Sequence, residues 1–167
     1  TKLYCHHSLD DLPDTLEIVI VATSSVIREK IIRDVIQKRS VKNLILEKVL
    51  FQRKIQYVEI DNFLKESSIP TWVNCWMRTA DLFKQIKSVL NSKDLIQMKV
   101  AGPRWGMGTN SVHFMDLLFF FAECSDFKFA EVHLEDKVPD SKRDGFKEFV
   151  GHLKGMNSRG DSLELIC

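Results

Sequence analysis

Apolar runs and helical repeats alternate over the first part of the chain. Residues 18–22, IVIVA, form a short β-branched run, which is typical of a strand covered on both faces. The apolar positions of residues 27–36 recur at helical spacing and predict a helix that ends near Lys38, with Ser24 and Ser25 as candidate caps. Residues 43–47, NLILE, predict the next buried strand. A strand, a helix and a strand in about 30 residues predict a right-handed parallel crossover.

The same alternation continues through two more helices. Residues 54–67 predict a helix that ends before Pro70, and residues 71–75, TWVNC, predict a third strand. Its predicted inward positions are Ile55, Val58, Phe63 and Leu64. Thr79 is a candidate cap for the next helix, whose apolar positions fall on one side and predict core packing. These positions are Leu82, Phe83, Ile86, Val89 and Leu90.

The pattern changes after Asp94. Residues 95–102, 127–135, 148–156 and 162–167 alternate between apolar and polar side chains, which predicts an antiparallel sheet with one face in water. Between the first two of these segments, residues 110–123 form a strongly apolar helix. The predicted fold class is α/β, a parallel sheet followed by an α+β domain with an open antiparallel sheet. We place the boundary near residues 77–79, with domains at 1–77 and 78–167.

Composition restricts the partners of the protein. A chain of 167 residues, 44% of them hydrophobic, can bury a sizeable core. Its 24 basic and 23 acidic residues give a net charge of +1, so the balance favours neither a nucleic acid nor an acidic membrane surface as a partner. No apolar run reaches the roughly 18 residues of a membrane span, and the first residues lack a signal-peptide core. We expect a soluble, cytoplasmic protein.

Two short motifs have ordinary structural explanations. The four cysteines are too far apart in sequence for a Cys-x-x-Cys pair, so we expect reduced thiols and no metal site. Residues 159–161, RGD, precede an alternating apolar segment, and a hairpin turn explains them better than an adhesion motif does.

Glycine is missing where a dinucleotide would need it. The first glycine is Gly102, so the parallel α/β part contains none. A dinucleotide-binding fold uses a Gly-x-Gly-x-x-Gly turn after its first strand, because only glycine lets the backbone approach the pyrophosphate. This chain cannot supply that turn from its first domain.

Four segments, taken in order, resemble one enzyme family. VIVATSS, LILEK, WVNCWMR and RWGMGTNSVHFMDLL are similar to the strand ends and the loop and helix of the Gfo/Idh/MocA family of NAD(P)-dependent sugar and polyol dehydrogenases. The resemblance covers roughly residues 18–123. It implies a fragment that lacks the glycine-rich half of a Rossmann domain, with a partial NAD(P)-binding domain at 1–77 and a substrate-binding and oligomerisation domain at 78–167.

The resemblance implies two catalytic residues. Glu47-Lys48 matches the family's Glu-Lys-Pro, with Val49 in place of proline, at the carboxyl edge of the sheet where ligands bind. The Lys48 ammonium is expected to bind the reacting oxygen. His113 matches the family's acid/base histidine. On the residues alone, Lys48 could instead reach water from a strand end, and His113 could be a core residue.

Further positions follow from the same resemblance. Thr23 and Ser24 match a turn that binds the cofactor, together with Glu47 and Lys48, and Arg28 stands where the family often has histidine. The implied substrate-binding residues are Trp76, Arg78, Thr109 and Asn110. Thr109 replaces a family aspartate and cannot hold its charge, which leaves the orienting role to Asn110. Asp116 is assigned to structure.

The implied activity is hydride transfer between NAD or NADP and a carbohydrate or sugar nucleotide. The missing glycine turn predicts that the chain alone is inactive and does not bind NAD(P) tightly. The alternative is a non-catalytic assembly or binding domain. The unpaired edge of the strand at 18–22 and the open sheet both favour a homo-oligomer.

Overall fold

The computed structural model describes residues 2–91, 93–141 and 144–167. The chain divides into two compact units, and the division falls between Asn74 and Cys75 in the sequence. This division lies slightly before the boundary expected at residue 77.

The first unit contains two helices and a small parallel sheet. Its elements are β1 (Thr15–Leu16), β2 (Val19–Val21), α1 (Arg28–Lys38), β3 (Ser40–Val41), β4 (Leu44–Leu46), α2 (Lys54–Glu66) and β5 (Thr71–Val73). The main sheet has the order β2-β4-β5 with both pairs parallel, and β1 pairs with β3. The predicted parallel crossovers are therefore present.

One face of this sheet carries the core. Val21, Leu44 and Leu46 are buried against Ile32 of α1 and Ile60 of α2. Both helices therefore cover the same face, as consecutive right-handed crossovers require.

Within the part of the chain that the structure describes, the other face of the sheet is not covered, so one prediction was wrong. Ile20, Ile45 and Trp72 are register partners and share that face. Ile20 is 65% exposed and Trp72 is 54% exposed, so β2 is covered on one face and not on two.

Local details of the two helices also differ from the prediction. The N-cap of α1 is Ile27, without a side-chain cap, and not Ser24 or Ser25. In α2, Ile55 and Val58 are exposed, and the buried position is Ile60.

The second unit combines two helices with an open sheet. A 3-10 turn (Trp76–Thr79) precedes α3 (Asp81–Val89), β6 (Gln97–Ala101), α4 (Met107–Ala122), β7 (Lys128–Leu134), β8 (Gly151–Met156) and β9 (Ser162–Ile166). The sheet order is β6-β9-β8-β7. The pairs β7/β8 and β8/β9 are antiparallel, whereas β6 pairs with β9 in parallel. The predicted α/β class with an open sheet is confirmed, with one parallel pair in a sheet expected to be antiparallel.

Helix α4 covers one face of this sheet. Leu163 and Leu165 of β9 are buried against Met107 and Leu118 of α4. Helix α3, by contrast, contains no buried residue. Leu82 is 62% exposed, so the predicted core stripe on α3 was wrong, and the N-cap is Ala80 rather than Thr79.

The RGD segment forms the turn between β8 and β9, as predicted. The Asp161 main-chain oxygen accepts a hydrogen bond from Asn157 N at 3.0 Å, and the Asp161 side chain is fully buried. A buried aspartate is not presented to a receptor.

Among the described residues, no helix is both long and apolar enough to cross a bilayer.

Candidate functional site

The carboxyl edge of the parallel sheet in the first unit presents two of the predicted residues, Glu47 and Lys48. Glu47 follows β4, and its Oε2 accepts a hydrogen bond from Asn74 Nδ2, after β5, at 2.9 Å. Its Oε1 accepts from Lys48 N at 3.1 Å. Glu47 thus links two neighbouring strand ends and orders the backbone that presents Lys48.

A buried arginine supports the same edge. Arg28, at the start of α1, is 2% exposed. Its guanidinium donates to the main-chain oxygens of Thr23 and Val49, and to that of Leu50 at 2.9 Å. It therefore joins the loop after β2 to the loop after β4. The sequence pattern indicates no role for Arg28, because an arginine in the first turn of a helix has no distinctive local signature.

Thr23 provides the strongest indication of a ligand at this edge. Its hydroxyl is buried and has no hydrogen-bond partner among the described residues. Buried hydroxyls are normally paired, so an unpaired one at a ligand-binding edge suits a bound polar group. Ser24 follows it and is half-buried.

These residues fit only part of a dinucleotide. Hydroxyl, carboxylate and main-chain groups at the carboxyl edge suit the ribose and amide of a nicotinamide. The pyrophosphate needs a glycine turn, and no glycine precedes Gly102. The described residues of this edge therefore offer polar groups that fit the nicotinamide end of a dinucleotide, and the first unit offers no glycine turn for its pyrophosphate.

The second unit brings together the predicted histidine and two predicted substrate residues. His113 lies on α4 and is 4% exposed. Trp76 meets it edge to face, with ring centroids 6.3 Å apart. Arg78 Nε donates to Asp116 Oδ2 at 2.7 Å, and Arg78 Nη2 also bonds the Asp116 carboxylate. This hydrogen bond raises the pKa of Arg78, so the guanidinium remains charged.

Asp116 therefore does more than stabilise the helix. It lies one turn after His113 and holds Arg78 by two hydrogen bonds. A bidentate arginine is fixed in orientation, which is useful next to a substrate. The prediction that Asp116 has a purely structural role missed this contact, which joins residues 38 positions apart.

Thr109 and Asn110 lie at the start of α4 and are bonded within the unit. Thr109 Oγ1 donates to Glu148 Oε1 at 2.9 Å, and Gly108 N donates to Glu148 Oε2 at 3.0 Å. Asn110 Nδ2 donates to Trp105 O at 2.7 Å. Glu148 thus supplies a carboxylate next to Thr109, where the resembling family has its aspartate. No local sequence pattern indicates this role of Glu148.

Lys48 and His113 belong to different units. Each unit assembles part of the predicted set: Thr23, Glu47 and Lys48 in the first, and Trp76, Arg78 and His113 in the second. That the Lys48 ammonium and the His113 imidazole face one cleft stays a prediction.

Comparison with known proteins identifies the fold. No family model matches the sequence, and no curated protein matches it. Among solved structures, an NAD-binding protein from Listeria innocua matches 96% of this chain and 51% of its own, with a TM-score of 0.67 at 15% identity. The dehydrogenase MviM from Clostridium difficile matches 96% of this chain and 52% of its own, with a TM-score of 0.69 at 14% identity.

A third structure agrees with these two. A protein from Desulfitobacterium hafniense, proposed to be an NADPH-dependent oxidoreductase, matches 90% of this chain and 48% of its own, with a TM-score of 0.67 at 12% identity. The chain therefore spans about half the length of the solved structures it matches. At these identities the similarity establishes the fold alone.

Proposed function

We propose that this chain is part of an oxidoreductase that transfers a hydride between NAD(P) and a sugar, polyol or sugar nucleotide. The observation that carries the proposal is the carboxyl edge of the parallel sheet, where Glu47 links two strand ends beside the unpaired Thr23 hydroxyl. Open parallel sheets bind their ligands at this edge. The fold is the one found in an NAD-binding protein and in a dehydrogenase.

Different residues of the chain would have different roles in the proposed reaction. The nicotinamide, when bound, supplies or accepts the hydride. Thr23, Ser24 and Glu47 would line its ribose and amide. The Lys48 ammonium would donate a hydrogen bond to the reacting oxygen and stabilise the charge that develops there. The His113 imidazole would take the hydroxyl proton, since imidazole titrates near neutral pH.

The substrate would be held by the second unit. Arg78, fixed by Asp116, presents a charged planar donor, and Trp76 presents an aromatic face. Thr109 and Asn110 would contribute polar groups at the start of α4. Hydroxyl-rich ligands suit such a mixture of polar and aromatic groups.

The first experiment tests whether the chain alone holds the cofactor. Titration calorimetry of this polypeptide with NAD+ and with NADP+ should give no stoichiometric, tight binding, because the pyrophosphate has no glycine turn to hold it. One-to-one binding with a Kd below about 10 µM would contradict the fragment interpretation.

The second experiment tests the activity itself. The polypeptide of the complete reading frame would be assayed for NAD(P)H formation with a panel of aldoses, polyols and sugar nucleotides. Lys48→Ala and His113→Ala should each lower kcat about 10²–10⁴-fold, and Lys54→Ala, on the exposed start of α2, should leave it unchanged. Equal activity of all the variants would refute the assigned roles.

A second candidate is a non-catalytic assembly or binding domain derived from this fold. The open sheet of the second unit favours it, because strand β7 is exposed along its whole length. The same assay separates the candidates. A complete polypeptide that neither binds NAD(P) nor reduces it would support the assembly domain.

A further inference from the structure

One edge of the parallel sheet in the first unit has no neighbouring strand. The sheet order is β2-β4-β5, so among the described residues β5 pairs on one side only. Asn74 N donates to Leu46 O of β4 at 2.8 Å, and Pro70 O accepts a bond from β4 at 2.9 Å. Because main-chain groups alternate in direction along a strand, those of Thr71 and Val73 point away from β4. The edge therefore presents two N–H and two C=O groups.

A cavity lies beside this edge and is lined by both β5 and α2. Its volume is about 750 Å³, which is within the range of pockets that bind ligands. Its lining includes Leu46, Phe51 and Ile60, which are buried in the core of the first unit. It also includes Val58 of α2 and Val73 of β5, which are exposed. The cavity therefore joins the apolar core to the surface at the side where β5 has no neighbour.

The polar side chains of the cavity already have partners. Asp61 and Lys65 form an ion pair at 2.5 Å, and both are largely exposed. Tyr57 Oη donates to the Phe51 main-chain oxygen at 3.3 Å. Thr71 Oγ1 donates to a main-chain oxygen in the preceding loop at 3.0 Å. The polar groups that a ligand would meet are therefore mainly the outward N–H and C=O groups of β5.

A strand added to this edge would direct its side chains to the two faces of the sheet in turn. Val73 is the register partner of buried Leu46, so its side chain is on the face that α2 covers. Thr71 is on the same face, two residues earlier. Trp72 is on the opposite face and is exposed. Every second side chain of an added strand would therefore enter the cavity, and the side chain between them would lie beside Trp72.

We propose that the edge of β5 and the cavity beside it bind an extended peptide of another protein, which adds a strand to the sheet. In this mode of recognition the main-chain hydrogen bonds give affinity, and pockets for alternate side chains give specificity. The matching peptide has two apolar residues separated by one residue. An aromatic residue at the middle position would pair with Trp72 across the strands. The proposal does not depend on the redox function.

The size and chemistry of the edge favour a short peptide over other occupants. Strand β5 has three residues, so at about 3.3 Å per residue its edge is about 10 Å long. A stable dimer buries about 800 Å² per partner, which is far more than one strand of this length contributes. A small apolar molecule would fill the cavity and leave the outward N–H and C=O groups of β5 without partners. An extended backbone satisfies both, with a Kd on the order of 100 µM because the strand is short.

The experiment is an NMR titration of the 167-residue chain with the capped peptide Lys-Ser-Val-Phe-Val-Ser-Lys. The two valines of the peptide are designed for the cavity, and its phenylalanine is designed to lie beside Trp72. Saturable binding should shift the amide resonances of Thr71 and Val73 and the methyl resonances of Ile60. The methyl resonances of Leu163, which is buried in the core of the second unit, should not shift.

Two N-methylated peptides test the main-chain hydrogen bonds. Methyl groups on the nitrogens of both valines block the N–H groups on one side of the added strand, and a methyl group on the phenylalanine nitrogen blocks the other side. One of these two peptides should bind at least about tenfold more weakly than the parent peptide, and the other should bind like it. The identity of the weaker peptide shows whether the added strand is antiparallel or parallel to β5.

Two protein variants test the position of the site. Val58→Arg places a charge in the cavity lining and should weaken binding at least about tenfold. Ile55→Arg is the matched control, because Ile55 is on the same helix, is 55% exposed against 52% for Val58, and lies outside the cavity lining. This control should bind the peptide like the wild-type chain. Circular dichroism checks that both variants are folded.

Four outcomes would overturn the proposal. The first is the absence of saturable binding at millimolar peptide. The second is equal affinity of the parent peptide and both N-methylated peptides, which would indicate an apolar ligand site without strand pairing. The third is an equal loss of affinity in Val58→Arg and Ile55→Arg. The fourth is a shift of the Thr71 and Val73 amides that depends on protein concentration without peptide, which would assign the edge to a second copy.

Discussion

The buried carboxylate of Asp161 makes a sharp test of how the second unit is held together. Asp161 Oδ1 accepts from Ile96 N at 2.9 Å, at the start of β6. Its Oδ2 accepts from Asn157 Nδ2 at 2.8 Å and lies 3.1 Å from Arg159 Nε. Asp161 is 0% exposed, so no water replaces a lost partner. One side chain therefore joins the β8–β9 turn to the parallel strand β6.

Asp161→Asn keeps the shape of the side chain and removes one acceptor. If the amide oxygen stays at the Ile96 position, its NH2 group faces two other donors, Asn157 and Arg159. If it flips, the NH2 group faces the Ile96 N–H. Either arrangement loses at least one charge-assisted hydrogen bond, about 1.5–3 kcal/mol, and leaves Arg159 without its counter-ion. Breaking a fully buried pair costs about 3–5 kcal/mol, and the Arg159 side chain is 32% exposed, so we expect the free energy of unfolding to fall by about 3 kcal/mol, the lower end of that range.

The assay is urea unfolding read from the indole N–H resonance of Trp105. That group donates to Ile166 O at 2.7 Å and reports the second unit specifically. Asp140→Asn is the matched control, since its partner Lys147 is exposed and such pairs contribute about 0–1 kcal/mol. A loss below about 1 kcal/mol in Asp161→Asn would refute the claim that this carboxylate anchors the turn.

Three other measurements check the remaining structure. Arg28→Ala should lower the free energy of unfolding of the first unit by about 3–5 kcal/mol in urea titrations, because three carbonyl oxygens lose their donor, and Arg28→Lys should lower it less. The hydrogen bond from the Cys124 thiol lowers the pKa of Asp126 from 3.8 to about 2. The ionised Asp126 carboxylate therefore stabilises the folded state fully above pH 3.8, and this contribution is lost as the pH falls through 2. Acid titration by circular dichroism should show a smaller loss over that range in Asp126→Asn. Ile32→Ala should cost about 2–5 kcal/mol and Leu82→Ala no more than about 0.5 kcal/mol, since the first is buried and the second is not.

Local sequence patterns were sufficient to predict most of the helices and strands. Helix α1 ends at Lys38, as its apolar repeat predicts, and α2 ends at Glu66, before Pro70. Both boundaries depend on residues within one or two turns of the helix end. The parallel crossovers of the first unit follow from the order of these elements, which is also local information.

Burial was predicted less well, because it depends on what covers a surface. The apolar positions of α3 do lie on one side, yet Leu82 and Val89 are exposed. The same holds for Ile20 and Trp72 on the uncovered face of the parallel sheet. Periodicity shows which side of an element is apolar. It does not show whether another element is packed on that side.

Contacts between distant residues were not predictable from one sequence. Glu148 reaches Gly108 across 40 positions, and Asp161 reaches Ile96 across 65. The parallel pairing of β6 with β9 was also not predictable. Alternation of apolar and polar residues predicts a strand, but it does not indicate which strand pairs with it. The family resemblance predicted which residues form the candidate site. It did not predict how those residues are arranged in space.

The Glu47-Lys48 pair shows how structure and function divide between adjacent residues. Both oxygens of Glu47 accept hydrogen bonds within the first unit, one from Asn74 and one from Lys48 N. Glu47 thus has a complete structural role in joining two strand ends, whether or not a ligand is present. If Lys48 has the catalytic role proposed above, Glu47→Gln should lower stability and lower kcat much less than Lys48→Ala does, because the amide keeps one acceptor. Lys48→Ala should do the reverse in the complete polypeptide. A matching loss of kcat in both variants would mean that the carboxylate itself takes part in the reaction.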